Sequence, residues 1–180
     1  MGRLALVGGG ARSGKSAFAL SLARRSGGRL GYLATATAVD GEMRERIARH
    51  RAERGDAFAT IEEAVDVPGA LAQHAELDAI VVDCLTLWMS SLLARDASPD
   101  EILARVDDAI AAAARRDGAT IFVTNEVGMG IVPDNALARA FRDVSGFAHQ
   151  RISDAADEVY WAVLGTILRI KPSDLAVDRR

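Results

Sequence analysis

A single cysteine, Cys84, occurs in the 180 residues. No internal disulfide can form, so a reducing compartment is expected, and Cys84, directly after an apolar run, reads as a core thiol. Aromatic residues make up only 5% of the chain, which leaves aliphatic side chains and alanine to fill the core. There is no excess of basic charge: 22 Lys and Arg stand against 25 Asp and Glu, for a net charge of −3 and a pI near 5.6. That balance argues against a broad nucleic-acid footprint, though not against a local arginine cluster at a phosphate site. No apolar run approaches the roughly 20 residues needed to span a bilayer. The opening MGRLALVGGG carries too short an apolar stretch for a signal peptide and lacks the hydroxyl residue that N-myristoylation wants near position six. A cytoplasmic protein with no membrane span is expected.

Repeats, low-complexity stretches and linkers are missing too. One domain over residues 1–171 is therefore expected, with a polar tail at 172–180. Short apolar runs alternate with helical patterns along it. Arg3 to Gly8, Leu30 to Ala34, Phe58 to Ile61, Ala79 to Asp83 and Ala119 to Thr124 read as strands. Helices are expected over Lys15–Arg25, Gly41–Arg54, Val67–Ala75, Leu85–Leu93, Pro99–Arg116 and Pro133–Ala156. Gly27 and Gly28 stop the first, Ser98 caps the fifth with Pro99 in its first turn, and Asp134 is the expected entry to the last. Glu158 to Leu164 and Thr166 to Ile170, joined around Gly165, read as a closing antiparallel pair. The fold class that follows is α/β: a P-loop NTPase (RecA-like) domain with a mostly parallel central sheet flanked by helices.

The strongest chemical signal is Gly9-Gly10-Ala11-Arg12-Ser13-Gly14-Lys15-Ser16, a full G-x-x-x-x-G-K-[ST] motif between a strand and a helix. Its glycines let successive N–H groups turn inward onto phosphate oxygens, and the helix dipole adds about half a positive charge at that end. Lys15 is expected to reach the outer phosphates and Ser16 to bind Mg²⁺. Asp83, ending the apolar run AIVVD, suits the second metal-holding element of such proteins; the bland reading is an acid that caps the next helix. The motif points to a nucleoside triphosphate and says nothing of the base or the acceptor.

His50 sits within Arg46-Ile47-Ala48-Arg49-His50-Arg51-Ala52-Glu53-Arg54. On a helix Arg46, His50 and Arg54 share a face. Imidazole is a usable nucleophile toward phosphorus, and the arginines suit a triphosphate and a departing pyrophosphate. Taken alone, an arginine-rich helix is usually a solvated face, and a lone histidine on it is usually idle. His74 and His149 have no comparable setting and are assigned no chemistry.

GGARSGKS, YLATA, RIARHRAER and, later, VTNEVGMGIVPDNALARAFRDVSGFAHQRISDAADEVY occur in that order. From about Leu4 to Lys171 the chain resembles the bifunctional adenosylcobinamide kinase / adenosylcobinamide-phosphate guanylyltransferase family of cobalamin biosynthesis. The resemblance implies two reactions at one nucleotide site. In one, the aminopropanol hydroxyl of adenosylcobinamide takes a γ-phosphoryl group from ATP or GTP. In the other, GTP loses pyrophosphate and its GMP rides on a histidine, here His50, before passing to the cobinamide phosphate. It also implies GTP contacts at Gly9, Gly10, Ala11, Arg12, Ser13, Gly14, Lys15 and Ser16, at Ala34, Thr35 and Ala36, at Arg51, Ala52, Glu53 and Arg54, and at Glu62 and Asp83. Glu62 would accept hydrogen bonds from the guanine edge. A homotrimer and a corrinoid substrate are implied as partners, and Mg²⁺ as cofactor. The chain departs from the family pattern at Arg49, where many members have a second histidine; at Asp83, where some have Glu; and at His149, where Asn is usual.

Within VGMGIVPDN, Gly128 and Gly130 permit tight turns, and Met129, Ile131 and Val132 would form an apolar wall. It would face the corrinoid, face a neighbouring subunit, or pack as a buried structural loop. Besides the bifunctional enzyme, the residues fit a simple P-loop kinase of a small metabolite or a regulatory GTP-binding module.

Overall fold

The computed structural model describes residues 2–36, 41 and 55–172. The helix expected over 41–54, which carries His50, Arg51, Ala52, Glu53 and Arg54, therefore lies outside the described residues apart from Gly41.

Among the described residues seven strands form one sheet: β1 (Leu4–Gly9), β2 (Leu30–Ala34), β3 (Phe58–Glu62), β4 (Ala79–Asp83), β5 (Ala119–Asn125), β6 (Glu158–Val163) and β7 (Thr166–Lys171). Their order is β3-β2-β4-β5-β1-β6-β7. Every neighbouring pair is parallel except β6 and β7, which are antiparallel and joined through Leu164 and Gly165. The helices are α1 (Lys15–Ser26), α2 (Val67–Gln73), α3 (Leu85–Leu93), α4 (Pro99–Arg115) and α5 (Ala136–Ala155).

The period-two alternation of each strand divides the core into two layers. Leu4, Leu6, Leu33, Ile80, Val82 and Phe122 turn to one face, where α2 to α5 supply Leu71, Trp88, Met89, Ile102, Val144 and Ile152. Ala5, Val7, Tyr32, Val81, Ile121 and Val123 turn to the other, against Ala19, Leu20, Leu22 and Ala23 of α1. Alanine and aliphatic residues do fill both layers, as the low aromatic content requires; Trp88 is the largest fully buried side chain, and its Nε1–H reaches the Val65 carbonyl at 2.9 Å. Cys84 is buried in the α1-side layer, and burial pushes its thiol pKa up. That is the environment of an inert core thiol.

Local signals set the helix ends. Ser98 and Glu101 make a reciprocal capping box at α4, and Gly27 closes α1 in the left-handed region at φ 67°. Most boundaries fall within a residue or two of the sequence reading, and the largest difference is at the entry to α5. Asn135, not Asp134, caps α5, its side chain accepting from the Ala138 N–H at 2.8 Å. Pro133 to Asn135 thus lie outside the helix. Either Asx residue can cap, and the one whose carbonyl oxygen reaches the third helical N–H wins.

Arg116 is only 2% exposed, yet it carries a charge. Its guanidinium donates to the carbonyls of Leu71 and Leu77 at 3.1 and 2.8 Å, and also to that of His74, so a cation closes the carboxyl end of α2 where the dipole favours it. Replacing it leaves three carbonyls without their donor. Arg116→Met should lower unfolding stability by about 3 kcal/mol, measured as a fall in the denaturation midpoint with nucleotide chemistry otherwise intact.

Candidate functional site

The carboxyl ends of five strands converge on one edge. In register, Gly9 faces Asn125, Asp83 faces both Ala34 and Val123, and Ala34 faces Glu62. Backbone bonds extend this edge past the strand ends: Thr35 N to Asp83 O at 3.2 Å, Glu63 N to Ala34 O at 3.1 Å, and Glu126 N to Gly9 O at 3.1 Å. Ligands of open α/β sheets bind at such an edge.

The Gly9–Ser16 loop leads from β1 into α1 there. Gly9 has no room for a side chain, since a Cβ would stand 2.5 Å from the Ala162 carbonyl oxygen and 2.7 Å from Ser13 Oγ. Gly14 holds φ 90°, a left-handed conformation that costs any other residue. The amino end of α1 has no side-chain cap and no acidic residue in its first turn. Its leading N–H groups thus lack a side-chain partner of the kind that Ser98 and Asn135 give α4 and α5, and such an end suits an anion. Ser13 Oγ is buried with no hydrogen-bond partner, a second polar atom that fits a missing ligand. Lys15 is buried, and its Nζ donates to the Gly10 carbonyl at 3.0 Å. Gly10, Ala11, Arg12 and Gly14 are exposed and Ser16 is half-buried.

Asp83 is half-buried at the end of β4, and its Oδ2 accepts from Tyr32 Oη at 3.0 Å. Tyr32 comes from the adjacent β2, two residues before Ala34; nothing in the sequence pairs it with Asp83. Thr35 is completely buried. Its Oγ1 accepts from Cys84 N and donates to Cys84 O, both at 2.8 Å. This side chain therefore staples the end of β2 to that of β4, so any contribution of Thr35 to a nucleotide comes from its backbone. Ala36 is half-buried, and Glu62 is exposed at the end of β3. Among the described residues no group of three or more His, Cys, Asp or Glu side chains could hold a metal. A Ser16–Asp83 pair suits a cation whose remaining ligands are phosphate oxygens and water.

β5 runs between β1 and β4, so its end stands between the cradle and Asp83. Asn125 Nδ2 donates to Thr86 Oγ1 at 3.1 Å. Thr124 Oγ1 lies 2.6 Å from His149 Nε2 on α5, and His149 Nδ1 is 3.9 Å from Glu126 Oε2. His149, which has no setting in the sequence, thus joins this edge; only the long-range packing of α5 on β5 reveals it. The VGMG segment does not pack as a buried loop. Met129 is 81% exposed, Ile131 97% and Val132 61%, with Leu137 exposed beside them, which removes that reading of the apolar wall.

No helix among the described residues is long and apolar enough to cross a membrane. Among solved structures, the fold is similar to a KaiC-like protein of the archaeon Pyrococcus horikoshii, at a TM-score of 0.51 and 15% identity, covering 94% of this chain and 78% of that one. A family model described as cobinamide kinase / cobinamide phosphate guanyltransferase matches residues 5–170. The bifunctional adenosylcobalamin biosynthesis protein CobP of Pseudomonas aeruginosa is 40% identical over 171 residues, covering 94% of this chain and 98% of its own. The CobU protein of Escherichia coli, of the same bifunctional description, is 39% identical over 181 residues, covering 92% and 98%. With a bare helix end behind a Gly-rich loop, an acid one strand removed, and a match along nearly its whole length, the chain belongs to the cobinamide kinase / cobinamide phosphate guanylyltransferase family of cobalamin biosynthesis.

Proposed function

We propose that both reactions of this enzyme use one triphosphate site, the Gly9–Ser16 cradle, with the phosphoryl step and the GMP step drawing on different atoms of the bound nucleotide. The observation that carries this reading is the uncapped amino end of α1, with no acidic residue in its first turn, joined to a loop in which Gly9 has no room for a side chain and Gly14 holds a left-handed φ that strains any other residue. In the kinase step, N–H groups of the cradle and Lys15 neutralise the γ-phosphoryl group as it moves from ATP or GTP to the corrinoid's aminopropanol hydroxyl. Ser16 and Asp83 would hold Mg²⁺, which supplies charge neutralisation at the phosphates when bound. In the GMP step His50 attacks the innermost phosphorus of GTP, pyrophosphate leaves, and the phosphoramidate then yields GMP to cobinamide phosphate.

Arg51 and Arg54, beside His50 in sequence, suit the polyphosphate, with Ala52 and Glu53 completing that contact. Glu62, exposed at the edge, suits the guanine N–H groups, and Ala34, Thr35 and Ala36 offer backbone contacts between it and the cradle. A homotrimer would give the exposed strip of Met129, Ile131, Val132 and Leu137 a cover, and the corrinoid would enter beside it. The single buried thiol and the acidic balance fit work in the cytoplasm.

Labelled GTP separates this reading from a kinase with no covalent step. Incubated with the protein and Mg²⁺, α-labelled GTP should leave acid-labile label on the chain while γ-labelled GTP leaves none. Label that reaches only the corrinoid, from the γ position, would overturn the histidine route and spare the kinase.

A further inference from the structure

We infer that Glu126 is the group that takes the proton from the acceptor hydroxyl in the kinase step, and that His149 is the positioning residue that aims it. The inference rests on the nucleotide reading of the Gly9–Ser16 cradle.

The two reactions make unequal demands on the protein. Phosphorylation uses an alcohol as nucleophile, and the alcohol must lose its proton as the O–P bond forms. In the GMP step the nucleophiles are an imidazole lone pair and then a phosphate oxygen that already carries charge; neither needs a carboxylate base. A carboxylate at the cradle that the GMP step does not use is therefore a candidate for the alcohol.

Glu126 meets the positional requirement. It follows β5 directly, on the strand lying between the cradle strand and the Asp83 strand, and its own N–H is bonded to Gly9 O at 3.1 Å. The preceding polar side chains are already engaged: Asn125 is bonded to Thr86 at 3.1 Å, and Thr124 to His149 at 2.6 Å. The Glu126 side chain is 25% exposed, accessible to a substrate yet fixed by a hydrogen bond at one oxygen. Oε1 accepts from Gly128 N, at the start of the exposed VGMG turn, and Oε2 lies 3.9 Å from His149 Nδ1.

His149 is the more buried partner, its side chain 14% exposed. Burial holds its pKa below the ordinary imidazole value, with the Glu126 charge opposing that shift. A neutral ring with its proton on Nδ1 accepts the Thr124 hydroxyl at Nε2 and turns a donor toward the carboxylate. Thr124, His149 and Glu126 then form a line from the sheet through α5 to the acid, the kind of support that keeps a catalytic group in one rotamer.

The step balances without a further reagent. The corrinoid O–H bond breaks and its proton passes to Glu126. The oxygen's electron pair forms the bond to the γ-phosphorus, the bond from that phosphorus to the β-phosphate oxygen breaks, and the nucleoside diphosphate leaves. Glu126 returns its proton to water.

The test measures two turnovers in one protein: phosphorylation of cobinamide by ATP, and GMP transfer from GTP to supplied cobinamide phosphate. Glu126→Gln keeps the acceptor oxygen for Gly128 and loses the base. Its kinase kcat should fall by about 10²- to 10³-fold, with the GMP transfer rate within about threefold of wild type. Equal loss in both, or an undiminished kinase, overturns the assignment. Glu126→Ala adds a readout that a structural role does not move: formate should restore part of its kinase rate, and no rescue in a folded, GTP-binding protein counts against the base. If Glu126→Gln does not fold, the formate arm decides alone. His149→Ala should lower kinase kcat by about tenfold without raising the nucleotide KM; a rise in KM with unchanged kcat would remove its positioning role. Failure of the cradle reading itself looks different, as triphosphate affinity that does not change in Lys15→Ala.

Discussion

Lys15→Ala is expected to stop both reactions and to weaken triphosphate binding. The side chain is buried at the start of α1 and donates to the Gly10 carbonyl at 3.0 Å. Its ammonium group is thus held on the loop that the phosphates would line, with a short path from carbonyl to phosphate oxygen. A unit charge pair at 4 Å is worth about 4 kcal/mol at the effective dielectric of a partly exposed site. Part of that is offset by desolvation, and part acts only as charge shifts onto the leaving oxygen. The net expectation is a rise of at least about tenfold in the GTP dissociation constant and a fall of about 10³-fold in kcat/KM for each reaction. Stability should change little, because Gly10 is exposed and water can replace the lost donor. Titration of GTP binding alongside the two turnover assays checks this. Unchanged affinity would mean that the cradle has been misread.

His50→Ala is expected to separate the two activities in the opposite sense to Glu126→Gln. Without the imidazole there is no atom to carry GMP, so acid-labile label from α-labelled GTP should drop by at least about 10³-fold. GTP binding and phosphorylation of cobinamide should persist, since neither needs a nucleophile from the protein. The argument is chemical and sequential: a single histidine stands among Arg46, Arg49, Arg51 and Arg54. An adduct that survives in His50→Ala would move the nucleophile elsewhere. The two variants together make a reciprocal pair, one losing the alcohol's base and the other losing the GMP carrier.

How much of this was legible in the sequence varies from element to element. β2 at Leu30–Ala34, β4 at Ala79–Asp83 and α3 at Leu85–Leu93 have the boundaries the pattern implies. Strands buried on both faces read as unbroken apolar runs, and α3 follows Cys84 directly. The entry to α5 was not legible, because Asp134 and Asn135 have the same local capping chemistry and only the turn geometry chooses between them. The sequence left the setting of Met129, Ile131 and Val132 open between an exposed wall and a buried loop, and only the structure shows them exposed, because nothing local says whether this turn leaves the sheet.

Local order along the chain was enough to determine the Gly-rich loop between β1 and α1, the strand-end acid and the family, because each depends on residues close in sequence or on a long ordered set of motifs. A Gly-rich loop works through backbone conformation, which neighbouring residues dictate. Only the tertiary structure decided which side chains meet at the sheet's edge. Tyr32 joins Asp83 across two strands, Thr35 staples Cys84, and His149 reaches Thr124 and Glu126 from a helix some 25 residues later in the chain. Those contacts arise from strand order and helix docking, which sum many weak burial terms over the whole chain and leave no mark at the residues they bring together.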